Sequence, residues 1–360
     1  MKTQQRGYLM IDVASFHLTD DERHRLCDPR VGGVILFRRN FESIEQLKSL
    51  VQEIKSLRQP ELIIAVDHEG GRVQRFIAGF TRLPAMANLG QMVDQQGIQA
   101  ACIMAEKTGR ILASELRACG IDLSFTPVLD LDYGRCAVIG NRSFHRQPEN
   151  VELLAKSLQK GLHQGGMIAC GKHFPGHGFV SGDSHTVLPC DERSWEEIQA
   201  NDLKPFAYMV QNGMQAVMPA HVVYPKIDEQ PAGFSAFWLK KILREQMGFQ
   251  GAIFSDDLTM EGACCAGGIV ERVHRSLQAG CDIALICNRP DLVDEYLSFR
   301  QPENSFEPHL AERWEKMAGK GRAEDFAQWL QTDEAQQMQQ EVALLAQASD
   351  LTPCAPKVGE

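Results

Sequence analysis

Eight short apolar runs, spaced by longer amphipathic segments, leave this chain few ways to fold. The runs are 8–12, 33–37, 62–67, 123–130, 167–173, 216–221, 252–256 and 283–288. Between them, segments 43–58, 94–119, 148–164, 194–212, 235–247 and 270–279 carry helix signals. Ser43 with Gln46, and Ser194 with Glu197, have the spacing of a capping box, in which side chains satisfy the first amides of a helix. Strand followed by helix, repeated, implies parallel strands, and eight of them predict closure. The expected fold class is therefore α/β, a single (β/α)8 TIM-type barrel with a C-terminal helical extension. The competing open, doubly wound sheet lacks its usual G-x-G-x-x-G turn after the first strand.

Strand after strand ends in a side chain that can bind or react: Asp12, Arg38 and Arg39, Asp67, Asp130, Lys172 with His173, His221, Asp256 and Asn288. In a barrel all C-terminal strand ends open on one face, so these groups are expected around one pocket. For Asp12, Asp130 and Asn288, capping of the next turn is an equally good reading. Residues 1–300 are read as the catalytic barrel, 301–348 as helices packed on it, and 349–360 as a disordered tail. Excursions at 68–92 and 131–147 interrupt the alternation; the first is expected to lie over the pocket.

Composition narrows the partners. A net charge of -10 argues against nucleic acid and anionic membranes, which are bound through positive fields. The eleven cysteines include no CxxC pair and read as buried thiols of a reducing cytoplasm. No secretion signal or membrane span is read, and neither cofactor nor metal is expected. The sequence is silent on oligomeric state, for which a monomer is the default.

The stretch from Lys172 to His185 concentrates titratable groups among glycines and a proline, so it reads as a mobile loop leaving a strand. Arg75, Arg142 and Lys172 with Asp67 suit hydroxyls and an amide carbonyl, although a single arginine can equally be a surface ion pair. Asp256-Asp257 ends the seventh run. Alternation sends their side chains opposite ways, so one enters the pocket and the other caps the next turn, without saying which. Asp183-Ser184-His185 places a carboxylate two residues before an imidazole that can exchange protons near neutral pH. A local hydrogen bond stabilising the loop is the plainer alternative.

These motifs, 66–75, 140–144, 172–178, 183–185, 218–221 and 254–258, together resemble family 3 glycoside hydrolases, in order from about Tyr8 to Asn288. The resemblance is to the single-domain bacterial β-N-acetylglucosaminidases of peptidoglycan recycling. It implies a cytoplasmic, retaining exo-enzyme that releases terminal N-acetylglucosamine (GlcNAc) from fragments carrying 1,6-anhydro-N-acetylmuramic acid (anhydroMurNAc), with or without peptide. It assigns Asp256 as nucleophile, which settles what alternation left open. His185 becomes the acid/base and Asp183 its partner; Asp67, Arg75, Arg142, Lys172 and His173 bind the sugar, and His221 lines the site. His68 departs from the glutamine expected there and is read as altering pocket polarity. Two other classes fit the residues less well. A metal-dependent amidohydrolase barrel needs a His-x-His pair that the first strand lacks, and a non-catalytic sugar-binding protein needs no Asp256 and His185 together.

Overall fold

The computed structural model describes residues 5–182, 188–299 and 309–347. Its centre is a parallel barrel of β1 (Leu9–Asp12), β2 (Val31–Leu36), β3 (Ile63–Val66), β4 (Leu123–Ser124), β5 (Cys170–Phe174), β6 (Ala216–Pro219), β7 (Ala252–Asp257) and β8 (Ile283–Ile286). Hydrogen bonding orders them 4-3-2-1-8-7-6-5. The two ends of that series meet where Val128 bridges Lys172, with the Lys172 amide on the Pro127 carbonyl at 3.1 Å. The eight predicted runs are these eight strands. They were legible because parallel strands covered on both faces are continuously apolar, as in β2 and β3, buried at every residue. Only β4 is much shorter than its run. Pro127 has no N–H to give a ladder, and the nearby Ser124 hydroxyl bonds the main chain of His68.

Helices α1 (Asp20–Leu26), α2 (Ile44–Ser56), α3 (Met86–Gln96), α4 (Ile98–Ala118), α5 (Pro148–Gln164), α6 (Trp195–Ala200), α7 (Leu203–Gln211), α8 (Ile269–Ala279) and α9 (Pro290–Ser298) surround the barrel, with a π-helix at Phe237–Gln246. The capping box at Ser194 and Glu197 is complete. At Ser43 only half forms: its hydroxyl takes the Gln46 amide, while the Gln46 side chain accepts from Glu42 instead. The expected helix 94–119 starts earlier and is broken in two at Gly97, whose φ of 86° no helix continues.

Helices α10 (Leu310–Met317), α11 (Ala323–Trp329) and α12 (Asp333–Gln347) follow. They meet the barrel where its strands begin. Trp314 donates to the Gly7 carbonyl at 2.8 Å, Arg313 pairs with Asp282, and the Lys320 amide bonds the Gly166 carbonyl. A Cβ on Gly32 would lie 2.7 Å from the Trp314 ring and 2.2 Å from the Gly7 carbonyl, so the strand comes this close only without a side chain. One end of the barrel is thus covered by helix, and the strands' C-terminal ends are left to form the pocket.

Candidate active site

Parallel topology brings the ends of β3 and β5 together. Lys172, inside β5, aims its ammonium at Asp67, which follows β3, and reaches Oδ1 at 2.7 Å. Next comes a hairpin, His68–Gly70 paired with Val73–Gln74, which returns Glu69 toward the same ammonium at 2.6 Å. Glu69 also takes a two-pronged bond from Arg142, Nε and Nη2 both at 2.8 Å. Burial works to raise the Glu69 carboxyl, but the Arg142 and Lys172 charges outweigh it and hold it well below the carboxylate range. Lys172 is the mirror case: burial lowers it, and Asp67 with Glu69 lift it above its ordinary value. Both stay ionised at neutral pH. Arg75 stands 3.8 Å from the other oxygen of Asp67.

Asp130 supplies a second buried anchor. Its carboxylate accepts His173 Nδ1 at 2.7 Å, the His173 amide at 3.2 Å and the His177 amide at 2.7 Å. Burial pushes the carboxyl up, but His173 and the bonds prevail and lower it. Asp130 therefore caps no helix; it fixes one imidazole and the turn beyond it. Residues 174–178 are buried, so this half of the expected mobile loop is held against the barrel.

At the end of β7 both adjacent aspartates border one cavity, against the expectation that alternation sends one of them away, and they differ in what holds them. Asp257 accepts the Thr259 amide at 2.9 Å and its hydroxyl at 2.8 Å, the capping role. Burial pushes its carboxyl up to about 7. Asp256 lines a cavity of about 800 Å³, counting its open mouth, together with Asp67, Arg75, Arg142, Lys172 and His173.

Six of the residues expected at the site thus share one pocket. His221 does not reach its wall: fully buried and stacked on Phe234, it stands with Nε2 3.1 Å from the Asp257 carbonyl, behind the aspartate pair. Asp183 and His185 lie outside the described residues. His68 does not face the pocket either. Its ring packs against Phe76 and Phe80, each 5.8 Å away, where burial lowers its pKa to about 3. Sequence reasoning passed over Glu69 and His177, a pocket-lining residue. Glu69 had a signal: two residues after Asp67 on an extended chain, it points the same way. The amidohydrolase reading has little to build on, since Lys172 is an ammonium clasped by two carboxylates. Among the described residues no group of three or more His, Cys, Asp or Glu is placed to hold a metal ion.

A closed parallel barrel whose mouth sets carboxylates and cations around one cavity has the architecture of a TIM-barrel enzyme, with its site where the strands end. The comparisons narrow this. Residues 3–302 match the model of the glycosyl hydrolase family 3 N-terminal domain. A β-hexosaminidase of Neisseria meningitidis serogroup C (strain 053442) is 64% identical over 356 residues, 99% of this chain and 98% of the relative. The crystal structure of native NagZ from Neisseria gonorrhoeae is 63% identical, with a TM-score of 0.90 over 95% of this chain and 98% of the other. The same protein in complex with N-trifluoroacetyl-D-glucosamine is 62% identical at a TM-score of 0.90, again over 95% and 98%. The chain belongs to glycosyl hydrolase family 3 and is a glycoside hydrolase.

Proposed function

We propose that this enzyme is a retaining exo-β-N-acetylglucosaminidase, which removes terminal GlcNAc from anhydroMurNAc muropeptides in cell-wall recycling. The observation that carries the reading is the linked set Asp67, Lys172, Glu69 and Arg142, lining one cavity with Asp256. The likeness to a NagZ that takes a trifluoroacetyl glucosamine supports the amide-bearing sugar. In this reading Asp67, Arg75, Arg142, Lys172 and His173 grip the GlcNAc unit, while His221 holds the Asp256-Asp257 backbone from behind.

One Asp256 oxygen attacks the anomeric carbon. The bond from that carbon to the glycosidic oxygen breaks, and this oxygen takes a proton from His185 as anhydroMurNAc leaves. Water then attacks the same carbon, His185 recovers a proton from it, and the Asp256 carboxylate is released with GlcNAc. Asp183 orients the imidazole and favours its protonated form.

A soluble small-molecule substrate and a cytoplasmic monomer complete the reading. Every cysteine among the described residues is a free thiol, which supports a reducing compartment. No helix among the described residues is long and apolar enough to cross a membrane. The deciding experiment is an assay with a chromogenic β-N-acetylglucosaminide beside the matching β-glucoside, followed by labelling with a 2-fluoro sugar. Hydrolysis of the first, with the label on the Asp256 peptide by mass spectrometry, is expected. A label on another peptide overturns the assignment.

A further inference from the structure

We propose that Glu69 is the positioning residue of the sugar-gripping wall: it sets where the Lys172 ammonium and the Arg142 guanidinium stand, without touching the sugar itself. This rests on the reading that those two cations bind GlcNAc. Glu69 is held on the short hairpin His68–Gly70 and is as buried as Lys172, each side chain being 2% exposed, so what sets it apart is how fully its oxygens are occupied. Three donors occupy its two oxygens, Lys172 Nζ at 2.6 Å and Arg142 Nε and Nη2 at 2.8 Å each, so it has little left to offer a ligand. Asp67 differs. Its side chain is 21% exposed, so it can serve both Lys172 and a bound hydroxyl.

The geometry explains why a carboxylate is needed behind the wall. An ammonium has three N–H donors and turns freely about its last bond. Contacts to Asp67 and Glu69 take two of them and so fix the direction of the third. A guanidinium offers two edges, and Glu69 claims the one made by Nε and Nη2 while Val138 receives Nη1 at 3.2 Å. The plane of Arg142 is therefore set by Glu69 and one carbonyl. Two buried cations side by side repel each other, and Glu69 lies between them as the shared counter-charge.

Charge follows from position. The groups facing Lys172 are Asp67 from the end of β3, Glu69 from the hairpin and Arg142 from the 140–142 turn. Burial and Arg142 press the lysine to lose its proton, while Asp67 and Glu69 keep it on. With Glu69 neutral, one of the two restraining charges is gone and burial is unchanged. The lysine then gives up its proton at lower pH than in the wild type.

Two substitutions separate these effects, each measured as kcat and KM on the chromogenic β-N-acetylglucosaminide between pH 6 and 10, with thermal unfolding as the folding control. Glu69→Gln is expected to lower kcat/KM about 100-fold, chiefly through KM, because misplacement of a binding group by about 1 Å has effects of that size. In the wild type Lys172 holds its proton beyond this range, so it sets no alkaline limb there, whereas Glu69→Gln is expected to bring such a limb into the range. Glu69→Asp keeps the charge but draws it back by one methylene, so KM rises without that limb entering the range. A merely structural role lowers the unfolding temperature without bringing that limb in. Should Glu69→Gln fail to fold, Glu69→Asp decides alone, and an unchanged KM in it overturns the proposal. Wild-type KM and pH profile in a folded Glu69→Gln overturn it too. An inactive wild type sinks the functional reading and this one together, whereas an active wild type beside an unaffected Glu69→Gln sinks only this one.

Discussion

Lys172 and Asp67 are 105 residues apart in the chain and 2.7 Å apart in the fold. Nothing local to either residue makes the pair. It exists because β3 and β5 run parallel with their C-terminal ends at one mouth, and it stays intact because Glu69 and Arg142 complete the charge balance around it. Lys172→Met therefore leaves Asp67 and Glu69 without the ammonium that joins them. Breaking a buried ion pair by removing one partner typically destabilises by about 3–5 kcal/mol. We expect that loss in urea unfolding, together with hydrolysis below about one hundredth of wild type, since the variant loses a donor at the sugar. Unaltered stability would show that Lys172 is not the cation holding these carboxylates together.

His185 is assigned a proton and Asp256 a covalent bond, and these roles respond differently to the leaving group. With His185→Ala, natural GlcNAc-anhydroMurNAc must leave as an alkoxide, and the loss of general acid help is about 10²–10⁴-fold. A nitrophenyl leaving group needs no proton, so its loss is far smaller in the first step. Asp256→Ala removes both activities. Equal losses of the two substrates in His185→Ala would contradict the acid role.

Asp130 is the anchor of the other imidazole. Asp130→Asn keeps the shape, but its amide group offers N–H donors where His173 Nδ1 and two main-chain amides need acceptors. A hydrogen bond involving a charged group contributes about 1.5–3 kcal/mol, so kcat/KM should fall about 10- to 100-fold. Steady-state kinetics on the chromogenic hexosaminide test this. If only the melting temperature responds, Asp130 holds the loop and not the catalytic geometry.

His68 gives a prediction about pH. Its pKa is near 3 in the fold and near 6.5 when unfolded, so the folded state stays neutral where the unfolded chain takes up a proton. The resulting stability is complete above about pH 6.5 and declines as pH falls, by up to about 1.4 kcal/mol per unit, until the folded pKa is reached. Asp257, raised to about 7, tilts the curve the other way over part of that range, and His177, lowered to about 4, adds to the decline. The measurement is therefore a difference. His68→Gln, compared with wild type by urea unfolding from pH 7 to pH 5, should lose less stability on acidification. Parallel curves would place the ring in contact with water.

The strands and the convergence of their ends were readable because both follow from patterns along the chain: apolar runs, and a polar residue where each run stops. Asp256 and Asp257 show where such reading halts. Alternation said that the two part ways, whereas both border the cavity, and the cap is chosen by Thr259 and the Cys287 amide, which only the packed β7 and β8 bring near. Glu69 was missed for a similar reason. Its partners come from the 140–142 turn and β5, and a tight hairpin with Gly70 and Gly71 at positive φ puts it between them. His221 sits at a strand end, but its stacking on Phe234 turns it away from the cavity.

Trp314 tests whether the two ends of the barrel act separately. It is fully buried, donates to the Gly7 carbonyl, and meets Phe254 edge-on with ring centres 6.4 Å apart. All of this happens where strands begin, while Asp67 and Asp256 stand at strand ends and Lys172 reaches Asp67 from within β5. Trp314→Ala removes a large ring that the backbone of Gly32 cannot move in to replace, since it already lies against Gly7. Such truncations typically destabilise by about 3–5 kcal/mol through lost burial and the cavity left behind. Because the pocket's anchors bond each other, KM at 25 °C should stay within about twofold of wild type in the fraction that remains folded. Urea unfolding and Michaelis curves on one preparation give both numbers. A large rise in KM at full folding would mean that the helical extension governs the pocket through the barrel, and that the sugar wall is not held by its own ion pairs.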